Sequence, residues 1–215
     1  LCKLDDLKRL RFVTSHPRDM TENLINLFGQ EEKLMPYLHL PIQSGSNRIL
    51  KKMNRGHTVE YYSDIISKLK VIRPEIAISG DFIVGFPGET EEDFQKTLEI
   101  CKIIKYSQAY SFKYSPRTGT PSFEMKDISE KVKSYRLSKL QETISIYQRE
   151  FQKNLVGTVQ DVLIEKLGKL SDQYIGRTPY MNPVVIESKD NQIGKILPVK
   201  ICETNGLSLS GEHVI

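Results

Sequence analysis

Ile78-Ser79-Gly80-Asp81-Phe82-Ile83-Val84-Gly85-Phe86-Pro87-Gly88-Glu89-Thr90 reads as a buried strand that runs into a glycine-bearing turn and then a helix. The apolar run Phe82-Ile83-Val84 is short, rich in β-branched residues and bounded by Gly and Pro, which favours a core strand over a helix. Thr90 offers a side-chain oxygen to the first free amides of the next helix. Asp93 stands three residues on, and Glu91, Glu92 and Asp93 fill the turn where the helix dipole favours negative charge. Phe94, Leu98, Cys101 and Ile104 then recur at helical spacing as one apolar stripe. A strand, turn and helix of this kind presents backbone amides and carbonyls at the carboxyl end of a strand, where α/β sheets hold their ligands. The turn lacks the Lys-Ser/Thr of a phosphate-binding loop and the three-glycine spacing of a dinucleotide site. Its carboxylates Glu89, Glu91, Glu92 and Asp93 repel anions, so a neutral or cationic ligand suits it better. The alternative is that Gly85 and Gly88 only make a tight turn.

Working outward, Leu10-Arg11-Phe12-Val13-Thr14 reads as a strand, followed by a turn at Ser15-His16-Pro17 and a helix from about Thr21 to Phe28 closed by Gly29. Pro36-Tyr37-Leu38-His39-Leu40-Pro41 is a second strand that delivers Ile42-Gln43-Ser44-Gly45-Ser46 to its carboxyl end, where Ser46 caps a short helix. Thr58 caps another helix with Tyr61, Ile65, Leu69 and Ile72 on one face, ended by Pro74. After the central strand and its helix comes a fourth strand, Ala109 to Ser115, leading into Pro116-Arg117-Thr118-Gly119-Thr120-Pro121. Strands alternating with helices imply right-handed crossovers and a parallel sheet, here of four units, fewer than a closed barrel needs. A long helix runs from Ser129 to about Leu155. Beyond it the texture changes to short β-rich runs at Val159–Glu165, Tyr174–Arg177, Val184–Glu187, Ile196–Cys202 and Leu207–Ser210, the pattern of a small all-β barrel. The expected domains are 1–146 and 148–215.

The bulk properties exclude several classes. A formal charge of +4 does not by itself establish a polyanion partner; residues 1–147 carry 23 Lys and Arg against 19 Asp and Glu, and the remainder 8 against 8. Cys2, Cys101 and Cys202 stand far apart with no CxxC spacing, which argues against a disulfide framework and a local metal knot, so no metal ligand is assigned. No apolar run approaches a membrane span and no signal peptide is evident, so a cytoplasmic protein is expected. The opening Leu4, Leu7 and Leu10 look like the tail of a helix, from which an upstream portion is expected.

His16 and His39 sit at or just past the ends of expected parallel strands, and each is either a hydrogen-bonded structural residue or part of a site. Their location with Gln43, Ser44 and Ser46 at one rim suits a small polar ligand, whose buried donors and acceptors must be matched. Asp81 is either a rim contact or a capping acid. Arg48, Lys51, Lys52 and Arg55 crowd the short helix and its exit, as phosphate contacts or as a solvated basic face. Arg117 adds a second basic site suited to phosphate or carboxylate.

The ordered blocks Thr14-Ser15-His16-Pro17, His39-Leu40-Pro41-Ile42-Gln43-Ser44-Gly45-Ser46, Met53-Asn54-Arg55, Asp81 to Thr90, and Tyr114-Ser115-Pro116-Arg117-Thr118-Gly119-Thr120 closely resemble the radical S-adenosylmethionine methylthiotransferases, in the branch acting on tRNA. From about Gln148 the tail, with Gly157, Gly176-Arg177-Thr178 and Leu209-Ser210-Gly211, is similar to the TRAM domain of these enzymes. The resemblance implies the second half of a radical-SAM partial (β/α) barrel followed by a small OB-like β-barrel. The reaction it implies converts isopentenyl-adenosine at position 37, beside the anticodon, into its 2-methylthio derivative. It also implies an adenosylmethionine pocket lined by Gln43, Ser44 and the Gly85–Gly88 turn, with His39, Ser46 and Asp81 at the same rim, and a TRAM domain gripping the anticodon arm. No catalytic residue is assigned. This chemistry uses a 4Fe–4S cluster held by a CxxxCxxC loop and a second cluster on cysteines of an N-terminal domain; neither motif is in this sequence. The chain is thus expected to need an N-terminal cluster-binding portion, from the same gene or a separate chain, for catalysis. The alternatives are a non-catalytic RNA-binding remnant, a methylthiotransferase acting on another modified adenosine or a ribosomal protein, or a generic α/β domain binding a small molecule.

Overall fold

The stretch around Ile78 forms the middle strand of a three-stranded sheet in the computed structural model, which describes residues 1–14, 16–206 and 208–214. Ser15 of the expected turn and Leu207 of the last expected strand lie outside the described residues. The sheet runs β1 (Tyr37–His39), β2 (Ala77–Val84), β3 (Gln108–Lys113) in that order. β2 and β3 are parallel, with Asp81 opposite Tyr110 and Ile83 opposite Phe112. Leu10–Thr14 is not a regular strand: it makes isolated parallel bridges at Leu10 to Leu34 and Val13 to His39. Leu10 and Phe12 pack on the core while Val13 is 71% exposed, so two widely spaced bridges hold the segment without a continuous ladder.

β2 shows how sequence sets the layers. Side chains alternate across a strand, and Ile78, Phe82 and Val84 enter the core while Asp81 and Ile83 are only part-buried. The core joins them to α1 (Glu22–Gln30), α3 (Val59–Ile72), α4 (Glu91–Ile104) and the first part of α5 (Glu130–Leu155) through Ile25, Leu69, Phe94 and Leu140. Each fully buried aliphatic or aromatic side chain contributes about 1.5–3 kcal/mol. At its centre Tyr62 donates its hydroxyl hydrogen to the Leu40 carbonyl at 3.0 Å, and Tyr106 donates to Tyr62 at 2.9 Å. Burial pushes both phenols up.

The expected caps form. Thr21, Ser46, Thr58 and Thr90 accept from the backbones of Leu24, Ile49, Tyr61 and Asp93, starting α1, α2 (Asn47–Lys52), α3 and α4. Thr90 and Asp93 complete a reciprocal capping box. Two expectations are corrected. Gly29 lies inside α1 rather than closing it; a Cβ there would stand 2.5 Å from Ile72 Cγ2, so the glycine serves the close approach of α1 to α3. The buried tyrosine of α3 is Tyr62, not Tyr61, which is 43% exposed. On α4 Thr97 and Ile100 join the buried stripe, and Leu98 is at its margin.

The chain divides into two compact units, Leu1–Leu34 with Leu38–Tyr147, and Met35–Tyr37 with Gln148–Ile215. In the second, β4 (Val159–Leu167), β5 (Gln173–Arg177), β6 (Pro183–Glu187), β7 (Ile196–Thr204) and β8 (Leu209–His213) close into a barrel in the order β4-β5-β6-β8-β7. All pairs are antiparallel except β6 with β8. Alternate residues fill it: Val162, Ile164, Val184, Ile186, Val199 and Ile201. No helix of the described residues is long and apolar enough to cross a membrane.

Candidate functional site

The sheet face opposite the helices carries a polar row. His39 ends β1, and its Nδ1 lies 3.0 Å from Ser79 Oγ on β2. Its Nε2 lies 3.5 Å from Asp81 Oδ2, two residues along the same strand and the same face. Across β3 the Tyr110 ring meets His39 edge-on at 6.2 Å between centroids. Tyr110 and Phe112, two apart on that face, are each about half exposed. Asp81 thus faces His39 rather than capping a loop.

Just beyond β1, Gln43 takes a left-handed backbone with φ 77°, unusual for a residue with a Cβ. Its N–H donates to Asp81 O and its carbonyl accepts from Ile83 N–H, both at 2.9 Å, so this loop pairs with β2. The Gln43 side chain is part-buried.

The turn after β2 is locked from within. Gly85 and Gly88 have φ of +73° and +80°. Glu89 folds back and accepts the Gly85 N–H at 2.7 Å. Arg136 of α5 donates to the Glu89 carboxylate at 2.8 Å and to the Glu89 carbonyl at 3.1 Å. Both side chains are almost wholly buried. Burial pushes the Glu89 carboxyl up, opposed by the Gly85 amide and Arg136. Lys133 covers Gly85, where a Cβ would lie 2.5 Å from its Cγ, and bonds Asp127 at 2.6 Å. In the sequence alone Glu89 counts among the anion-repelling acids, and the only signal for Lys133 and Arg136 is two basic residues three apart on a long helix.

Not every expected rim residue faces the polar row. The Ser44 hydroxyl lies 3.5 Å from Thr97 Oγ1 and accepts the Ser46 N–H, while Ser46 Oγ donates to Asp93 at 2.6 Å. Both serines are buried and tie the loop to α4. Arg48, grouped with the phosphate-contacting bases, pairs with Asp93 and donates to the Gly88 carbonyl at 2.7 Å. Burial disfavours the Asp93 charge, yet bonds from Arg48, Ser46 and Thr90 hold its carboxyl far below the usual carboxylate range. Lys51 and Lys52 end α2 exposed, with Lys52 Nζ over Gly88. Arg55 is half-buried, and Arg117 is exposed in the loop after β3. A cleft of about 480 Å³ lies between α2, α3 and α4, lined by Arg48, Glu60, Asp93 and Ile103 among others. None of His39, Gln43 or Asp81 lines it.

This parallel-stranded half with its polar face, followed by a closed five-stranded barrel, has known counterparts. The Radical SAM superfamily matches residues 1–101 and the TRAM domain residues 153–214. Coproporphyrinogen III oxidase from Escherichia coli, a radical SAM enzyme, shares the fold with a TM-score of 0.51 at 16% identity, over 80% of this chain and 46% of that one. The class is thus a radical SAM fold joined to a TRAM barrel. More closely, the chain is 52% identical over 216 residues to tRNA-2-methylthio-N(6)-dimethylallyladenosine synthase of Rickettsia felis, and 53% identical over 214 residues to the enzyme of that name from Orientia tsutsugamushi. These alignments cover 100% and 99% of this chain and 48% of each relative. The chain carries a Radical SAM match and a TRAM match and is similar along its whole length to these synthases, and it spans about half the length of the curated relatives it matches.

Iron–sulfur clusters in such proteins rest on thiolates. The cysteines of this chain do not fit one: Cys101 is buried in α4 with its thiol pushed up by burial, Cys2 is half-buried and Cys202 exposed on β7. Among the described residues no three His, Cys, Asp or Glu side chains converge as metal ligands.

Proposed function

We propose that this chain contributes the adenosylmethionine- and RNA-facing part of a tRNA methylthiotransferase that methylthiolates C2 of N6-isopentenyladenosine at position 37. The observation that carries this is the 52% identity along the whole chain to an enzyme of that name. The polar row supports it. His39 and Asp81 offer a donor and an acceptor and Gln43 a side-chain amide, groups a sulfonium nucleoside requires, while Gly85 and Gly88, lying under Lys133 and Lys52, shape the adjoining turn. Ser44 and Ser46 act one step back, by fixing the loop that carries Gln43. Adenosylmethionine, when reduced by a cluster, supplies the radical chemistry; the part of these residues is to bind and orient it. Lys51, Lys52, Arg55 and Arg117 are assigned to the RNA. Arg48 contributes by anchoring α2 to α4. We take 1–146 as the radical SAM part and 148–215 as the TRAM part, the latter on the anticodon arm, and a cytoplasmic location.

The cysteines favour a second reading, an RNA-binding module without chemistry of its own. Deletion of the coding frame separates the two. The first expects 2-methylthio-N6-isopentenyladenosine to vanish from digested tRNA and N6-isopentenyladenosine to accumulate, by mass spectrometry. An unchanged nucleoside profile would refute it.

A further inference from the structure

His39 presents two nitrogens, and the strand beside it decides what each one does. β1 and β2 are neighbours in the sheet, and the Leu40 N–H donates to the Ser79 carbonyl at 2.8 Å, which brings the end of β1 alongside Ser79. Ser79 stands two residues before Asp81, on the same face of β2. It has no exposed surface, and its hydroxyl lies 3.0 Å from His39 Nδ1. The other nitrogen, Nε2, faces Asp81 Oδ2 at 3.5 Å, and the imidazole and carboxylate side chains remain 15% and 28% exposed. Tyr110 meets the imidazole edge-on, and its own hydroxyl accepts from Gln108 Nε2 at 3.1 Å.

A neutral imidazole carries one proton, and the groups opposite its nitrogens select where that proton sits. A carboxylate can only accept, so Asp81 favours a proton on Nε2. A buried hydroxyl hydrogen left without an acceptor is unfavourable, and the lone pair of an unprotonated Nδ1 supplies one. Both ends therefore select the same tautomer: Ser79 Oγ–H donates to Nδ1, and Nε2–H lies toward Asp81. At 3.5 Å that second contact is long for a hydrogen bond, so a donor and an acceptor stay side by side for a ligand. We propose that Ser79 is a positioning residue for the sulfonium nucleoside: it makes no contact with the ligand, and by donating to Nδ1 it fixes the His39 ring and keeps Nε2–H as the donor beside the Asp81 carboxylate. The inference rests on the reading of His39 and Asp81 as part of the adenosylmethionine pocket, and adds a residue to which no motif gives a role.

The test uses the 215-residue chain and equilibrium dialysis of adenosylmethionine in a double-mutant cycle. Ser79→Ala removes one buried oxygen and no carbon, so the strand keeps its packing. It should bind roughly three- to tenfold more weakly than the wild type, yet in a His39→Gln background the same change should move affinity by less than about twofold, because its route to the ligand is gone. Ser107→Ala is the control: its hydroxyl is also buried and donates to the carbonyl of Ile78, the neighbour of Ser79, at 3.0 Å, so it loses a comparable bond and should leave affinity unchanged. Nitrogen-15 spectra of the imidazoles at mildly alkaline pH, with His39 assigned by its loss in His39→Gln, should show a protonated Nε2 and a hydrogen-bonded, unprotonated Nδ1 in the wild type. In Ser79→Ala the Nδ1 signal should move toward that of free imidazole. A wild-type His39 with its proton on Nδ1 would overturn the proposal, as would equal affinity for Ser79→Ala and wild type, or the same loss with and without His39. Those three results leave the pocket itself standing. No binding by the wild-type chain, or binding that His39→Gln does not weaken, would remove the pocket reading and the Ser79 inference with it.

Discussion

Replacing Arg136 by Met removes the partner of a carboxylate whose side chain has no exposed surface. At 2.8 Å and an effective dielectric of 20, the attraction between the Arg136 and Glu89 charges is about 6 kcal/mol before desolvation is subtracted. Burial offsets much of that in the intact pair, but deleting one partner leaves the other charge stranded, which costs about 3–5 kcal/mol. The variant also loses the bond to the Glu89 carbonyl, so the turn at Gly85 loosens. Urea unfolding of the first unit, followed by circular dichroism, should show a loss of about 4 kcal/mol at pH 7. Lys68→Ala, at an exposed pair with Glu22, should leave stability almost unchanged by comparison. The pH dependence has a defined sign. The folded-state pKa of Glu89 is already raised by burial, and without Arg136 it rises further. A raised folded pKa means the carboxyl's contribution is most favourable below its unfolded value and is lost as pH rises through the folded value. The deficit of Arg136→Met should therefore shrink as pH falls toward and below the ordinary glutamate range. A deficit below about 1 kcal/mol, or one that stays constant from pH 7 to pH 4, would refute the stranded-charge argument.

Three further outcomes are expected. Gly85→Ala meets both a left-handed backbone and the Lys133 side chain, so it should lower stability by about 1–3 kcal/mol in urea titrations and weaken adenosylmethionine binding in equilibrium dialysis. Asp93→Asn should cost about 1–3 kcal/mol at pH 7, because bonds from Arg48, Ser46 and Thr90 lose their charged acceptor. Asp93 is held below the usual carboxylate range, so its contribution is present above the unfolded pKa and fades only in strong acid; the gap between variant and wild type should close there. Tyr62→Phe strips the acceptor of the Tyr106 hydroxyl in a fully buried site and should lower stability by about 1–3 kcal/mol.

Features governed by neighbours in sequence were legible from the sequence. The caps at Ser46, Thr58 and Thr90, the strand through Phe82 and the barrel strands after residue 158 each depend on a few adjacent residues. Features settled by partners far along the chain were not. Arg48 reads as a phosphate contact until Asp93, 45 residues on, arrives beside it, and Ser44 reads as a ligand group until Thr97 does. Gly29 resembles a helix stop because the sequence does not reveal that Ile72 lies against it. Tyr61 and Tyr62 differ by one position, about 100° around a helix, which an apolar count over a short window does not resolve. Leu10–Thr14 has the composition of a strand, but pairing is a property of two segments and only two bridges formed.

Ring closure in the second unit sets a rule for what can approach it. Each of its five strands already has a neighbour on either side, so a visiting extended peptide finds no vacant flank to zip onto. Any contact with this unit is left to outward side chains and the connecting bends.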